Sequence, residues 1–292
     1  MEAFPERDNE KKRVFEAAKM SVCIMMCSKS KDTNNDFYLR IHHDKFVDEL
    51  NEKVTISPQI IDKIDFNNKT IPLLTSTDMQ VMSKILLNSK PLNILSKCYE
   101  GEINITFHKE FIKLEDNYTP LIRGAQVQPF EITKHISQGD ILYLDKNKYL
   151  EFNKAEKSNH HKFKRIVMQG ITGINESTRL KMTIIDAGVF CANSVNYLII
   201  DETKIYYILG LLSSKLMNWY YKKISTNSNV NGYEVDNLPI VLDETKIEKV
   251  TNAVERILNC KNSNTELNNQ LNRLVYEIYG LSIEDVKIVE ES

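Results

Sequence analysis

The stretch that most constrains this chain runs from Lys164 to Ile240. It opens KRIVMQGITGINESTRLKM, passes through CANSVNYLII and LLSSKLMNWYYKKISTNSNVNGY, and closes EVDNLP. Apolar, β-prone runs of strand length alternate there with long segments of Arg, Lys, Gln, Asn, Ser and Thr. Short strands make a rigid frame, and the side chains between them are those that hydrogen-bond base edges and hold phosphates. The stretch is therefore expected to form a surface that reads DNA.

Charge supports this locally and not globally. The formal net charge is −2, which by itself argues against nucleic acid. Between Glu202 and Glu234 there is no acid, while Lys204, Lys215, Lys222 and Lys223 are present. From Lys154 to Lys181, Lys157, Lys162, Lys164, Arg165 and Arg179 face only Glu156 and Glu176. Acids gather between Asp44 and Glu52 and after Asp243. A basic face on a nearly neutral body is compatible with salt-sensitive duplex binding.

At 292 residues the chain can bury one large core or two modest ones. No apolar run is long enough to span a bilayer, and MEAFPERDNEKKR has no apolar signal core. The five scattered cysteines, Cys23, Cys27, Cys98, Cys191 and Cys260, suit reduced thiols in a cytoplasm. The pairs His42–His43 and His160–His161 do not make a metal site, because strand neighbours point to opposite faces. His160 and His161 are expected to join Lys162 and Lys164 on a basic loop.

Along the chain, a short helix is expected over Val14–Lys19. SVCIMMC (Ser21–Cys27) and FYLRIH read as a hairpin joined by the KSKDTNND turn, the edge of a larger sheet. Ser76 or Thr77 can cap a helix that Pro91 ends. EINITFHKEFI alternates as a half-buried strand. PLIRGAQVQPFEI is β-like and interrupted, and DILYLDKNKYLEF reads as strand or strand plus turn. SNHHKFK reads as a loop. RIVMQG, KMTIIDAG and VFCANSVNYLII read as strands, Tyr206–Ile224 as one helix with Trp219 in the core, and 225–236 as a loop. The tail is helical over Glu244–Leu258 and Leu267–Ile278, Gly280 ends the second helix, and Ser282 caps a last short one with Asp285 at N3.

RIVMQGITGINESTRLKMTIIDAGVFCANSVNYLII, YYILGLLSSKLMNWYYKKIS and NGYEVDNLPI together resemble the C-terminal specificity domain of Taq-methyltransferase-like adenine-specific DNA methyltransferases. The same module occurs in fused Type IIG restriction-modification enzymes, and Type I specificity subunits are more distantly similar. GEINITFHKEFI and PLIRGAQVQPF resemble the module's first half. EAFPERDNEKKRVFEAAKMSVCIMMCSK resembles the end of the preceding methyltransferase domain, and VYEIYGLSIEDVKIVE the usual C-terminal ending. The resemblance implies an α+β protein. Its parts are a methyltransferase remnant (1–43) forming an N-terminal β-hairpin, a connecting segment (44–75), a mixed β-rich target recognition domain (76–240) and a helical C-terminal section (241–292).

The family's Asn-Pro-Pro-Tyr catalytic motif is absent. Asp236–Asn237–Leu238–Pro239 is the nearest string and reads better as a loop exit. The glycine-rich S-adenosylmethionine loop is missing too. The chain is thus expected to recognise duplex DNA without catalysing or binding a cofactor. Its parent enzyme would methylate adenine N6 with S-adenosylmethionine, and would use Mg if a nuclease is fused. The methyltransferase domain would act in cis or in trans. The alternative is a protein-interaction or specificity-like subunit that docks a methyltransferase or nuclease through its C-terminal helices.

The candidate DNA contacts fall in four groups. Arg165 and Gln169 share a strand face, next to Lys164; the bland reading is a solvated face. Asn175, Ser177, Thr178, Arg179 and Lys181 lie on a polar loop. Lys222, Lys223, Thr226, Asn227, Asn229 and Asn231 follow a helix, where lysines also suit the helix dipole. Arg123 could reach a phosphate or form a structural ion pair.

Overall fold

The computed structural model describes residues 1–29, 35–134, 136, 139–260 and 265–291. Helices and sheets are mixed, and the chain divides into two units, Met1–Leu87 and Asn88–Ser292.

In the first unit, β1 (Glu2–Phe4), β2 (Val22–Ile24), β3 (Phe37–Ile41) and β4 (Lys53–Ile56) form one sheet in the order β2-β1-β3-β4. β1 is antiparallel to β2 and parallel to β3, and β3 is antiparallel to β4. The expected hairpin is thus not a pair: β1 lies between its two strands. Residues 30–34 of the KSKDTNND turn lie outside the described residues. β2 is shorter than the apolar run because Met25 and Met26 face solvent, Met26 by 89%. No helix forms over Val14–Lys19. Just before it, the Glu6 and Asn9 side chains accept from the N–H groups of Asp8, Asn9 and Lys11, local bonds that compete with a helix.

Residues 44–75 contain β4 and α1 (Pro58–Ile64), which Ser57 caps through the Ile60 N–H and Pro58 opens. α2 (Ser76–Leu87) is capped by Thr75 rather than by Ser76 or Thr77. The Thr75 hydroxyl accepts from Asp78 N–H and the Asp78 carboxylate from Thr75 N–H, at 3.1 and 2.9 Å. Ala3, Leu39, Val54, Ile56 and Ile61 make the unit's core.

The second unit begins with β5 (Lys90–Pro91), β6 (Cys98–Glu100), β7 (Ile112–Lys113), β8 (Thr119–Ile122), β9 (Val127–Gln128), β10 (Glu131–Ile132) and β11 (Leu142–Leu144). After α3 (Lys146–Phe152) come β12 (Arg165–Gln169), β13 (Met182–Ile185), β14 (Phe190–Cys191) and β15 (Val195–Leu198). α4 (Ile205–Leu212), α5 (Lys215–Ile224), α6 (Gly232–Asp236) and β16 (Pro239–Ile240) precede α7 (Ile247–Asn259), α8 (Thr265–Ile278) and α9 (Ile283–Glu290).

Two four-stranded sheets organise this unit, β14-β8-β11-β7 and β13-β12-β15-β6. β12 sits inside the second, pairing antiparallel with β13 and β15. Strand alternation divides side chains between two cores. Leu121 and Phe190 join Ile103, Phe111, Leu144 and Tyr149 on one side. Their strand neighbours Ile122 and Cys191 join Val127, Val167, Val195 and Tyr197 on the other. Each buried Phe contributes roughly 1.5–3 kcal/mol.

Local chemistry explains where elements depart from the hydrophobic pattern. EINITFHKEFI keeps a bridge from Ile103 to Ala192 and enters β7 only at its last residue, Ile112. Between these it turns, because the Asn104 side chain accepts from Thr106 and Phe107 N–H; Phe107 is 80% exposed. After β11, Asp145 caps α3 through Lys148 N–H. SNHHKFK falls on a 3-10 turn, Glu156–Lys162, with His160 and His161 buried rather than on a basic loop. The His160 ring shares a 2.8 Å hydrogen bond with Tyr197 Oη. The His161 ring bonds the Ser158 carbonyl and stacks on Phe190. The long helix is two, because Ser214 caps α5 through Met217 N–H at 3.1 Å. Residues 225–236 include α6, which opens with the Asn231–Glu234 capping box. Ser282 and Asp285 cap α9 as expected. The tail's apolar stripe faces into the unit: a Cβ at Gly210 of α4 would meet Val250 at 2.6 Å and Val254 at 2.9 Å.

Between the two cores lies a buried ion pair, Arg165 Nη1 to Glu102 Oε1 at 2.5 Å, with both side chains fully buried. The other Glu102 oxygen accepts from Cys191 N–H at 2.9 Å, and Arg165 also donates to the Val189 carbonyl. Glu102→Ala is expected to cost about 3–5 kcal/mol, because it leaves the guanidinium buried and unpaired. The double replacement Glu102→Leu, Arg165→Met should lie much nearer the wild type in urea unfolding. Burial pushes His160 and His161 below the ordinary value of 6.5. The unfolded chain therefore takes up protons near pH 6.5 that the folded chain refuses, and stability falls as pH drops from 6.5 towards those lowered values. Unfolding measured between about pH 7 and 5 should show that slope, and His161→Phe should flatten it.

Candidate nucleic-acid interface

The polar segments singled out in the sequence are stitched into one surface, mainly by backbone groups. Gly170 N–H donates to the Ser194 carbonyl at 2.9 Å, and Gly124 N–H to the Ser194 hydroxyl at 2.9 Å. A Cβ at Gly124 would lie 2.4 Å from Ser194 O, so only glycine lets these two segments meet. Thr172 N–H donates to the Ser228 carbonyl at 2.8 Å and Val230 N–H to the Gly170 carbonyl at 2.9 Å. Between those bonds Ile171 and Asn229 form an antiparallel bridge. Asn196 Nδ2 donates to the Val230 carbonyl at 2.6 Å. The loop after β12 and the loop after α5 thus run side by side.

Arg179 locks them, and its role differs from the one expected. It is 1% exposed. Nε donates to Thr172 Oγ1 at 2.9 Å, Nη2 donates to the Asn227 carbonyl, and the guanidinium lies over the Tyr221 ring. Burial lowers its pKa. Asn218 of α5 fixes the same segment, accepting from Arg179 N–H at 2.7 Å and donating to the Ser177 carbonyl at 2.8 Å. Glu234 closes the other end by accepting from Tyr221 Oη and from Asn231.

Arg165 is likewise corrected. At 0% exposure it is committed to Glu102, and it does not project beside Gln169 toward a duplex. Gln169 is half-buried, with its Oε1 shielded from water. Lys164 is half-buried; its bond to Tyr206 Oη at 3.1 Å raises its pKa. Lys181 pairs with Glu176 at 3.1 Å. Arg123 is half-buried and donates to the Asp140 carbonyl at 3.1 Å, where Gly139 (φ +76°) leaves room for it.

What remains outward is mostly neutral and polar. Asn175, Ser177, Lys222, Thr226, Asn227 and Asn229 are exposed, and Thr178, Lys223 and Asn231 half-buried. Ser177, Thr178, Asn218, Trp219 and Lys222 line a cleft of about 240 Å³ that Glu290 also borders. Lys223 Nζ sits over the Trp219 ring at 5.5 Å. Among the described residues, no three His, Cys, Asp or Glu side chains converge as a cation site.

Several structural members of this surface carried no readable signal. Ser194, Asn196, Asn218 and Glu234 reach partners 70, 34, 39 and 13 residues away. Gly124 and Gly170 were the only hint, since a close backbone approach needs glycine.

The chain is similar in structure to two solved proteins. One is the Type IIL restriction-modification enzyme MmeI, solved in complex with DNA: 12% identity, TM-score 0.48, 89% of this chain and 41% of that chain covered. The other is the HsdS subunit from Thermoanaerobacter tengcongensis: 8% identity, TM-score 0.35, 70% of this chain and 50% of that one. The chain therefore spans two fifths of the first and half of the second. No curated protein matches it. The family described as "TaqI-like C-terminal specificity domain" matches residues 119–240, from the first residue of β8 to the last of β16. Over those residues, the chain is similar to TaqI-like C-terminal specificity domains.

Proposed function

We propose that this chain recognises duplex DNA sequence-specifically, as the C-terminal specificity part of an adenine-N6 DNA methyltransferase or a Type IIG restriction-modification enzyme. The observation that carries this reading is the Arg179 lock. It sets two polar loops side by side so that amides, hydroxyls and lysines of both share one surface. Lys222 and Lys223 suit phosphates, which fix register; Ser177, Thr226, Asn227 and Asn229 suit base edges, which carry sequence information.

A methyltransferase domain, in cis or in trans, would supply catalysis and bind S-adenosylmethionine; a fused nuclease would need Mg. The residues here do not fit the methyl donor. β1 leads into Pro5, Glu6 and Arg7 with no glycine-rich turn, so no methyl-transfer step is assigned to this chain. Cys23, Cys27, Cys98, Cys191 and Cys260 are free thiols, and a reducing cytoplasm suits them. Among the described residues no helix is long and apolar enough to cross a membrane.

The test is selection of duplexes from a random pool, followed by titration between about 50 and 200 mM salt. Affinity should fall steeply across that range, and Lys222→Ala should reduce the slope of log K against log salt by about one. No duplex binding at the lowest salt would refute the reading. Arg179→Lys keeps a charge but loses the fork. It is expected to lower discrimination between selected and random duplexes by about tenfold while low-salt affinity for random duplex changes little.

A further inference from the structure

The bridge between Ile171 and Asn229 places two chemically different side chains on one face of the locked loop pair. Residues opposed across an antiparallel bridge project together, with Cβ atoms roughly 4.5–5.5 Å apart. Both are outward: Ile171 is 57% exposed and Asn229 is exposed. Their backbones are pinned on both sides, by Thr172 N–H to Ser228 O and by Val230 N–H to Gly170 O. Ile is also stiff at χ1. Ile171 therefore holds an apolar side chain in a fixed position beside Asn229, where folding gives it little to pack on.

We propose that Ile171 and Asn229 read a single A·T pair in the major groove. Asn229 takes the N6/N7 edge of adenine, and Ile171 packs on the 5-methyl group of its partner thymine. Asn matches adenine because its amide offers one donor and one acceptor to N7 and N6. Ile has neither, so the feature it can distinguish is a methyl group, and the minor groove presents none. The two features belong to opposite strands of one pair, just as the two side chains belong to opposite strands of one bridge. The inference rests on the duplex-reading proposal and names where its specificity lies.

The experiment uses the full chain and a duplex selected from a random pool. Each thymine is replaced in turn by uracil, which removes only the methyl, and each adenine by 7-deazaadenine, which removes N7. At one A·T pair, both replacements should weaken binding about fivefold or more. Ile171→Ala should lose the uracil response there and keep the 7-deazaadenine response; Asn229→Ala should do the reverse. Because both side chains are exposed, thermal unfolding of the variants should match the wild type, and an altered midpoint with both responses lost would count against a reading role. Responses that map to different pairs, or variants that respond like wild type, overturn the pairing. A cytosine that becomes favourable only when 5-methylated would show that the methyl is read without thymine itself, and would overturn the A·T assignment. Failure to select any duplex is a separate result, which removes the recognition reading itself.

Discussion

Taking a carboxylate and a guanidinium out of water costs several kcal/mol for each ion, and the second unit does this at its centre. Glu102 and Arg165 face each other at 2.5 Å with no exposure to solvent. Burial raises the Glu102 pKa even with Arg165 and two N–H donors pulling it down. The pair joins the start of β12 to the β14 backbone, since Glu102 holds Cys191 N–H and Arg165 holds the Val189 carbonyl. Geometry rather than net energy is what such a pair supplies here. The two sheets are tied where their cores meet, and everything after β12 starts from a fixed point.

From that point the loop pair is built with glycine, backbone bonds and a second buried arginine. Gly124 and Gly170 allow approach to Ser194, and Arg179 ties Thr172 to the Asn227 carbonyl. Both arginines lie against tyrosine rings, Tyr197 and Tyr221, at 4.7 and 5.2 Å. A fixed fork of donors suits this work in a way that lysine does not.

Strands and the helical tail were largely legible, because their apolar periodicity is local. β12, β13, β15 and the Ser282–Asp285 cap follow from the sequence. The β1 insertion between β2 and β3 was not legible, since nothing local fixes strand order. Nor were the breaks at Asn104 and Ser214, where one polar side chain overrides an apolar pattern. For the site, the two polar loops were legible as composition, but which charges they expose was not. Arg165 and Arg179 look like ligand-facing residues in sequence, and only the positions of Glu102, Thr172 and Asn227 show that both face inward.

The bonds that hold the loop after α5 reach main-chain atoms: the carbonyls of Asn227, Ser228 and Val230 and the N–H of Val230. The side chains at 226, 227 and 229 are not what keeps the loop in shape. Their identities can be exchanged on an unchanged backbone, so under the proposed function altering which sequence is read would not demand refolding the chain. A scaffold that separates shape from lettering in this way is suited to diversify by single substitutions.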